Sequence, residues 1–297
     1  MSTVLSAGLA VHDLVLTVPS IPSGEGKAFA SSVAETAGGP AAVAAIAAAR
    51  LGSDVRLVVV VGRDPRGDAL LADLAGEGVD LGSVIRSDSS GTPVSAILVD
   101  ADGGRRIINH TDPGLHDGEW PVPDLEGVDA VLVDSRWPAM GVRLLDAART
   151  AGIPGILDLD AAPDPDALRP LAAAASHVIA SAAALMAHTG TADPAAAVLA
   201  FDGDGEVAVT DGASPVRFRG QGAVREVPPV PTAVVSTLGA GDVFHGAAAH
   251  AMAGGHTFEE ALAAGTAAAA YACAHGGGRV GAPTTDQLER WRNDPWN

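Results

Sequence analysis

The chain is predicted to be an α/β protein: a largely parallel, helix-flanked sheet with a smaller antiparallel sheet beside it. Three observations carry this. β-Branched apolar runs alternate with alanine-rich stretches of helical period, which implies crossover connections and parallel strands. Residues 14–35 and 91–112 break the alternation with Gly/Pro-punctuated, alternating apolar and polar residues, the pattern of short antiparallel strands. Hydrophobic residues are 47% of 297, with only 3% aromatic, so the length admits a large core built from Ala, Val and Leu.

Taken in order, residues 4–11 read as a first buried strand, with Asp13 just past its C-terminal end, where α/β folds put ligand contacts. Residues 14–35 carry Pro19, Pro22, Gly24 and Gly26 and read as antiparallel strands that include Lys27, the chain's single lysine. Gly38, Gly39 and Pro40 open a helix over 41–51 that Gly52 closes, Pro at the start and Gly at the end. A strand over 55–61, a turn at Gly62, a helix over 67–75 and a short strand after Gly78 follow. Residues 92–100 and 105–110 form a hairpin across Asp102-Gly103-Gly104, and Asn109 lies on it. Strands are then expected at 128–134, 155–160, 177–180 and 207–210, the first running into Ser135-Arg136-Trp137 and the last into Asp211-Gly212. Helices separate them at 140–151, 164–174, 182–188 and 194–201. Residues 232–235 read as strand or extended chain. Helices at 243–254 and 258–274, a glycine loop at 276–279 and a surface helix in the tail complete the pattern.

Charge narrows the function. Eighteen Lys and Arg stand against 36 Asp and Glu, a net charge of −18, which argues against nucleic acid as a partner. One cysteine, Cys273, excludes an internal disulfide and gives no metal cluster. No apolar run is long enough for a convincing span, and no basic stretch precedes an apolar one at the N-terminus, so no membrane partner and a cytoplasmic location are expected.

The stretch richest in chemistry is Ser236-Thr237-Leu238-Gly239-Ala240-Gly241-Asp242, which turns an extended segment into a helix. Two glycines around one alanine allow a ligand close to the backbone. The amides of such a turn at a helix N-terminus favour an anion. A carboxylate at that mouth is suited to take a proton from a hydroxyl attacking a phosphoryl group.

Together, the Gly38-Gly39 helix start, the Gly239-Ala240-Gly241-Asp242 turn and the split small sheet resemble the ribokinase-like, or pfkB, carbohydrate kinases along essentially the whole chain. The resemblance implies a three-layer α/β/α sandwich with a mostly parallel central sheet. Residues 1–13, 36–90 and 113–297 would form the core, and 14–35 with 91–112 a discontinuous β-sheet lid. It implies ATP with Mg²⁺, and a homodimer through the lid. Asp242 would be the general base, with the amides of Gly239, Ala240 and Gly241 stabilising the transferred phosphoryl group. Asp13, Gly38 and Gly39 would contact the sugar, and Thr210, Asp211 and Gly212 the nucleotide.

The chain is more similar still to the family's bacterial sulfofructose-kinase branch, through Arg106-Ile107-Ile108-Asn109, Asp134-Ser135-Arg136-Trp137, Gly241-Asp242-Val243-Phe244-His245-Gly246 and Gly277-Gly278-Arg279-Val280-Gly281. That branch implies that Lys27, Asn109 and Arg136 grip a sulfonate and that the 1-hydroxyl of 6-deoxy-6-sulfofructose is phosphorylated in sulfoquinovose degradation. A permanent anion with three acceptor oxygens suits an ammonium, an amide and a guanidinium. A phosphate would suit the same trio, so fructose 6-phosphate stays open, as do fructose and a non-catalytic sugar sensor. The chain departs from the family pattern at Val43, where ribokinases carry Asn, and at Ser236, where Asp is usual. Ala184 replaces a Glu that helps order Mg²⁺, so the metal residues are left unassigned.

Overall fold

The computed structural model describes residues 1–100, 104–162 and 164–293. The first half runs β1 (Thr3–Gly8), β2 (Val11–Thr17), β3 (Ser32–Gly38), α1 (Pro40–Arg50), β4 (Asp54–Gly62), α2 (Pro65–Gly76), β5 (Val79–Asp80), β6 (Ile85–Ser87), β7 (Val94–Val99) and β8 (Arg105–His110). The second half runs β9 (Ala130–Asp134), α3 (Pro138–Ala151), β10 (Gly155–Leu159), a 3-10 turn (Asp166–Leu168), α4 (Arg169–Ala174), β11 (His177–Ser181), α5 (Ala182–Thr189), α6 (Pro194–Ala200), β12 (Glu206–Thr210), β13 (Val216–Gly220), β14 (Ala223–Val227), α7 (Ala240–Ala253), α8 (Phe258–Ala274), α9 (Gly278–Gly281) and α10 (Thr285–Asn293).

The main sheet has the order β14-β13-β12-β11-β10-β9-β1-β4-β5, with β6 also on β4. It is parallel from β5 through β12, and the β12–β13 and β13–β14 pairings at its edge are antiparallel. Because side chains alternate across a strand, each strand feeds two cores. Val4, Val59, Leu132, Ile156 and Ile179 pack beneath α1, α2, α7 and α8. Their neighbours Leu5, Val58, Val131, Leu157 and Val178 pack against α3 to α6 on the other face. The result is three layers. Local chemistry sets the helix starts: Asp64 accepts from the Gly67 amide to begin α2, and Thr257 with Glu260 forms a capping box on α8.

The second sheet has the order β3-β2-β7-β8. Its register places Thr36, Asp13, Ser95 and Asn109 in one cross-strand row. That face looks toward the body of the protein, since Arg105 on it donates to the Thr237 hydroxyl and Thr36 accepts from Arg279. The opposite face carries Leu14, Leu16, Val33, Leu98 and Ile108, with Val33 62% and Ile108 65% exposed.

Several expectations are corrected. The strand read over 4–11 is two: β1 ends at Gly8 and β2 begins at Val11 in the other sheet. Both are apolar, so nothing in the pattern marks the join. Asp13 therefore lies within a strand of the small sheet, not beyond a strand of the main one. Lys27 is in a loop over 18–31, where two prolines and two glycines leave no ladder. Residues 232–235 form no strand; β propensity needs a neighbouring strand, and β14 already closes that edge. The β13–β14 hairpin was not expected from the sequence; Gln221 and Gly222, both at positive φ, make its two-residue turn. The 276–279 loop winds into the short α9. Asp102 and Gly103 of the expected turn lie outside the described residues, but β7 and β8 pair antiparallel.

Candidate active site

The carboxyl ends of the parallel strands supply one wall. Asp134, at the end of β9, pairs in register with Asp158 on β10, and Asp158 with Ile179 on β11, all on the α7 side of the sheet. Asp134 is buried, yet it accepts from the amides of Leu9 and Arg136 at 2.8 Å and of Ala41 at 3.2 Å. It thereby ties the ends of β1 and β9 to the start of α1. Burial outweighs those bonds and pushes its pKa up to about 6. Asp158 is pushed well above the ordinary carboxylate range by burial and by the neighbouring charges of Asp134 and Asp160.

Asp242 comes down onto this wall from α7. The turn before it puts Gly239 at φ +63, and a Cβ there would lie 2.7 Å from Gly278 Cα, so only glycine fits. No side chain caps α7. The amides of Gly241 and Asp242 have no acceptor among the described residues, and a Cβ built on Gly241 meets nothing within 4 Å. Two free donors in open space at the positive end of a fourteen-residue helix form an anion site. Withdrawal from water and the charge of Asp158 raise the Asp242 pKa to about 8, within reach of a general base working near neutrality.

His245, one turn on, stands behind the base. Burial keeps its ring neutral, with Nδ1 2.7 Å from Gly241 O and Nε2 3.4 Å from Asp158 Oδ1. Ile179 O also lies 3.3 Å from Nε2, so a neutral ring has one N–H for three oxygen neighbours, two of them carbonyls that can only accept. The ring can donate to only one of those carbonyls, Gly241 O at 2.7 Å being the nearer, and its other nitrogen lies against the Asp158 carboxyl. The first turn of α7, which carries the free amides, is braced by this pair.

The small sheet reaches the same region, since Arg105 on its inner face donates to the Thr237 hydroxyl. A Cβ on Gly38 would lie 2.0 Å from Asp13 Oδ2, so the glycine makes room for that carboxylate. Burial raises Asp13 to about 6, opposed by a hydrogen bond from Ser95 and by His12. Gly39, at φ +89, caps α1. Asn109 stands two strands from Asp13 in the same row, exposed. Arg136 donates to Asp160 Oδ2 at 2.6 Å and to Ala161 O at 3.2 Å. Lys27 is exposed and makes no hydrogen bond or ion pair among the described residues, so no contact brings it to the other two. Thr210 closes β12 with its hydroxyl on Ala180 O, and Asp211 and Gly212 turn away after it, Gly212 at φ +55.

Sequence reasoning assigned no role to Asp158, Asp160, His245, Arg105 or Arg279. Asp158 and Asp160 were findable: both sit at the carboxyl end of the strand expected over 155–160, where α/β sheets gather ligand groups. The others depend on tertiary contact. Val43 and Ala184 are both buried, Val43 against Val243.

A free helix N-terminus with a carboxylate of raised pKa, roofed by a small sheet carrying another carboxylate, is the layout of a phosphotransferase acting on a polyol. The chain belongs to the pfkB family of carbohydrate kinases, whose model matches residues 1–285. It is 29% identical over 304 residues to the ribokinase of Bacillus subtilis, covering 97% of this chain and 99% of that one. A crystal structure from Agrobacterium tumefaciens, of a protein provisionally assigned as a ribokinase, superposes with a TM-score of 0.94 at 35% identity over 98% of this chain and 97% of that one. Arabidopsis thaliana ribokinase, solved with ribose and ATP, shares the fold at a TM-score of 0.81 and 24% identity, over 97% of this chain and 98% of that one. Kinases of this family use ATP with Mg²⁺. The open Gly241 and Asp242 amides fit a phosphate. Among the described residues no three acidic, His or Cys groups are placed to hold a metal. No helix among them is long and apolar enough to cross a membrane.

Proposed function

We propose that this chain transfers the terminal phosphoryl group of ATP to the 1-hydroxyl of 6-deoxy-6-sulfofructose, a step of sulfoquinovose degradation. Asp242 accepts the hydroxyl proton, and the Gly239-Ala240-Gly241 turn holds the transferred group through its free amides at Gly241 and Asp242, the Ala240 amide being already bonded to Thr237 O. Bound Mg²⁺ neutralises charge on the phosphates. Asp13, with the backbone at Gly38 and Gly39, binds sugar hydroxyls, and Thr210, Asp211 and Gly212 contact the nucleotide. The observation that carries the acceptor assignment is the lid row in which Asn109 shares a face with Asp13. An amide donor beside a hydroxyl-binding carboxylate suits a sugar with an anionic end, and the uncommitted Lys27 and the strand-end Arg136 supply cations for it. The proposal includes pairing of two copies through the apolar outer lid face, since Val33 and Ile108 otherwise stand in water.

A second reading is a neutral or phosphorylated ketose. Its neutral form is favoured by the ion pair from Arg136 to Asp160, which already spends that guanidinium, and by relatives named as fructokinases. ADP release with ATP and Mg²⁺ is to be measured across sulfofructose, fructose, fructose 6-phosphate and ribose. The proposal expects a strong preference for sulfofructose, lost in Arg136→Ala. A preference for fructose 6-phosphate keeps the anion grip and changes the acceptor. Turnover of neutral sugars alone removes the roles of Lys27, Asn109 and Arg136. Asp242→Asn should abolish transfer to every acceptor while leaving nucleotide binding intact.

A further inference from the structure

Arg279 is half-buried between the two walls of the site and belongs to neither. It follows a run of glycines at positive φ, Gly276, Gly277 and Gly278, which lets the chain lie against the anion turn. Gly278 N donates to Leu238 O. A Cβ on Gly277 would come within 2.7 Å of Leu238 O and 2.8 Å of Ser236 Oγ. The backbone of Arg279 is therefore anchored to the residues that shape Gly239.

Its side chain reaches the other way. Nη2 is 2.6 Å from Asp73 Oδ1 and 3.0 Å from Glu77 Oε1 on α2, and Nη1 donates to Thr36 Oγ1 at 3.2 Å. The second oxygen of Asp73 accepts from the Ala37 amide at 2.8 Å. Thr36 and Ala37 are the last residues of β3 before Gly38, and Thr36 stands in the row of Asp13. Arg50 holds the assembly from behind, bidentate on Glu77 at 2.7 and 2.8 Å and donating to the carbonyls of Arg279 and Ala282, both at 2.8 Å. Two guanidiniums and two carboxylates neutralise one another. Arg279 Nε alone is buried without a partner, so the fork is aimed by its lid and α2 contacts.

We infer that Arg279 is a positioning residue that couples the acceptor-binding end of the lid to the phosphoryl-binding turn, so that ordering one wall orders the other. This rests on the kinase reading of the site. Only a planar fork reaches Thr36, Asp73 and Glu77 together. A lysine keeps the charge but cannot span them, which separates coupling from simple charge balance.

The test has two parts. Amide hydrogen exchange on the free protein compares the parent with Arg279→Met and Arg279→Lys. Peptides spanning 32–39 and 236–241 should lose protection together in both variants, about tenfold or more in exchange rate, while peptides from β10 and β11 stay protected. Loosening of one segment alone, or of neither, overturns the inference; uniform loosening assigns Arg279 to general stability and overturns it equally. The second part measures the factor by which a non-hydrolysable ATP analogue tightens binding of whichever acceptor the panel selects. A factor of ~5 or more in the parent should fall toward one in Arg279→Met, with each ligand alone bound within a few-fold of the parent. Asp73→Asn should do the same, and the double variant should be no worse than either single. A factor unchanged by Arg279→Met refutes the coupling. If the parent turns over no acceptor, the kinase reading fails and the exchange measurement still decides the role of Arg279.

Discussion

Gly38→Ala isolates the part of the site that recognises the acceptor. Gly38 is not in the left-handed region, so alanine costs no backbone strain there, and the effect is steric. The new Cβ would lie 2.0 Å from Asp13 Oδ2 and 2.3 Å from Cγ, where ordinary contact begins at 3.4 Å. The carboxylate must therefore withdraw by about 1.4 Å, the difference between 3.4 and 2.0. Asp13 cannot turn aside without losing Ser95, its neighbour in the row. Misplacing a substrate-binding group by about 1 Å costs ~100-fold, so kcat/KM for the acceptor should fall ~100-fold while KM for ATP holds. Steady-state kinetics on the best acceptor, with a thermal melt to establish folding, reads this. Gly76→Ala, at a helical glycine whose Cβ meets nothing within 4 Å, is the matched control. A folded Gly38→Ala protein that keeps kcat/KM within threefold would remove Asp13 from the acceptor site.

Other predictions are independent of this one. With Asp242 raised to about 8, kcat/KM should climb with pH and level off above an apparent pKa near 8; a flat profile from pH 6.5 to 9 would contradict its role as base. The same shift bears on stability. Between the ordinary value of 3.8 and about 8 the unfolded chain has released this proton and the folded chain keeps it, so stability falls as pH rises through that window. Asp242→Asn should therefore melt higher than the parent at pH 7 to 8, the gap closing toward pH 4, and equal melting curves at pH 8 would argue against the shift. Gly246→Ala would drive a Cβ to 2.3 Å from Ala44 O where α7 crosses α1 and should cost about 1–3 kcal/mol in denaturant unfolding; a neutral result would mean the helices separate freely. Ile108→Lys, on the outer lid face, should convert a sedimenting dimer to monomer, and a monomeric parent would end the pairing proposal.

How much of this was legible in the sequence varies with the range of the forces involved. The alternation of strands and helices, the helix after Gly38-Gly39 and the glycine turn before Asp242 are local matters of period, propensity and chain stiffness, and the sequence by itself determined them. It also pointed to Asp242, because a carboxylate directly after a glycine turn is a local arrangement. The tertiary structure alone decided that Asp13 belongs to the small sheet. The apolar pattern runs unbroken from β1 into β2, and only pairing with β3 and β7 separates the two sheets. It alone gave Asp242 its raised pKa, through burial first and then through Asp158 and Asp134, which become neighbours of α7 by parallel register rather than sequence proximity. Lys27 shows the converse: its rarity made it conspicuous in the sequence, yet it stands in an exposed loop without a partner among the described residues. Arg279 reaches Thr36 across 243 residues. Hydrogen bonds and desolvation act over a few ångströms of space, and the fold alone decides which residues lie within that distance.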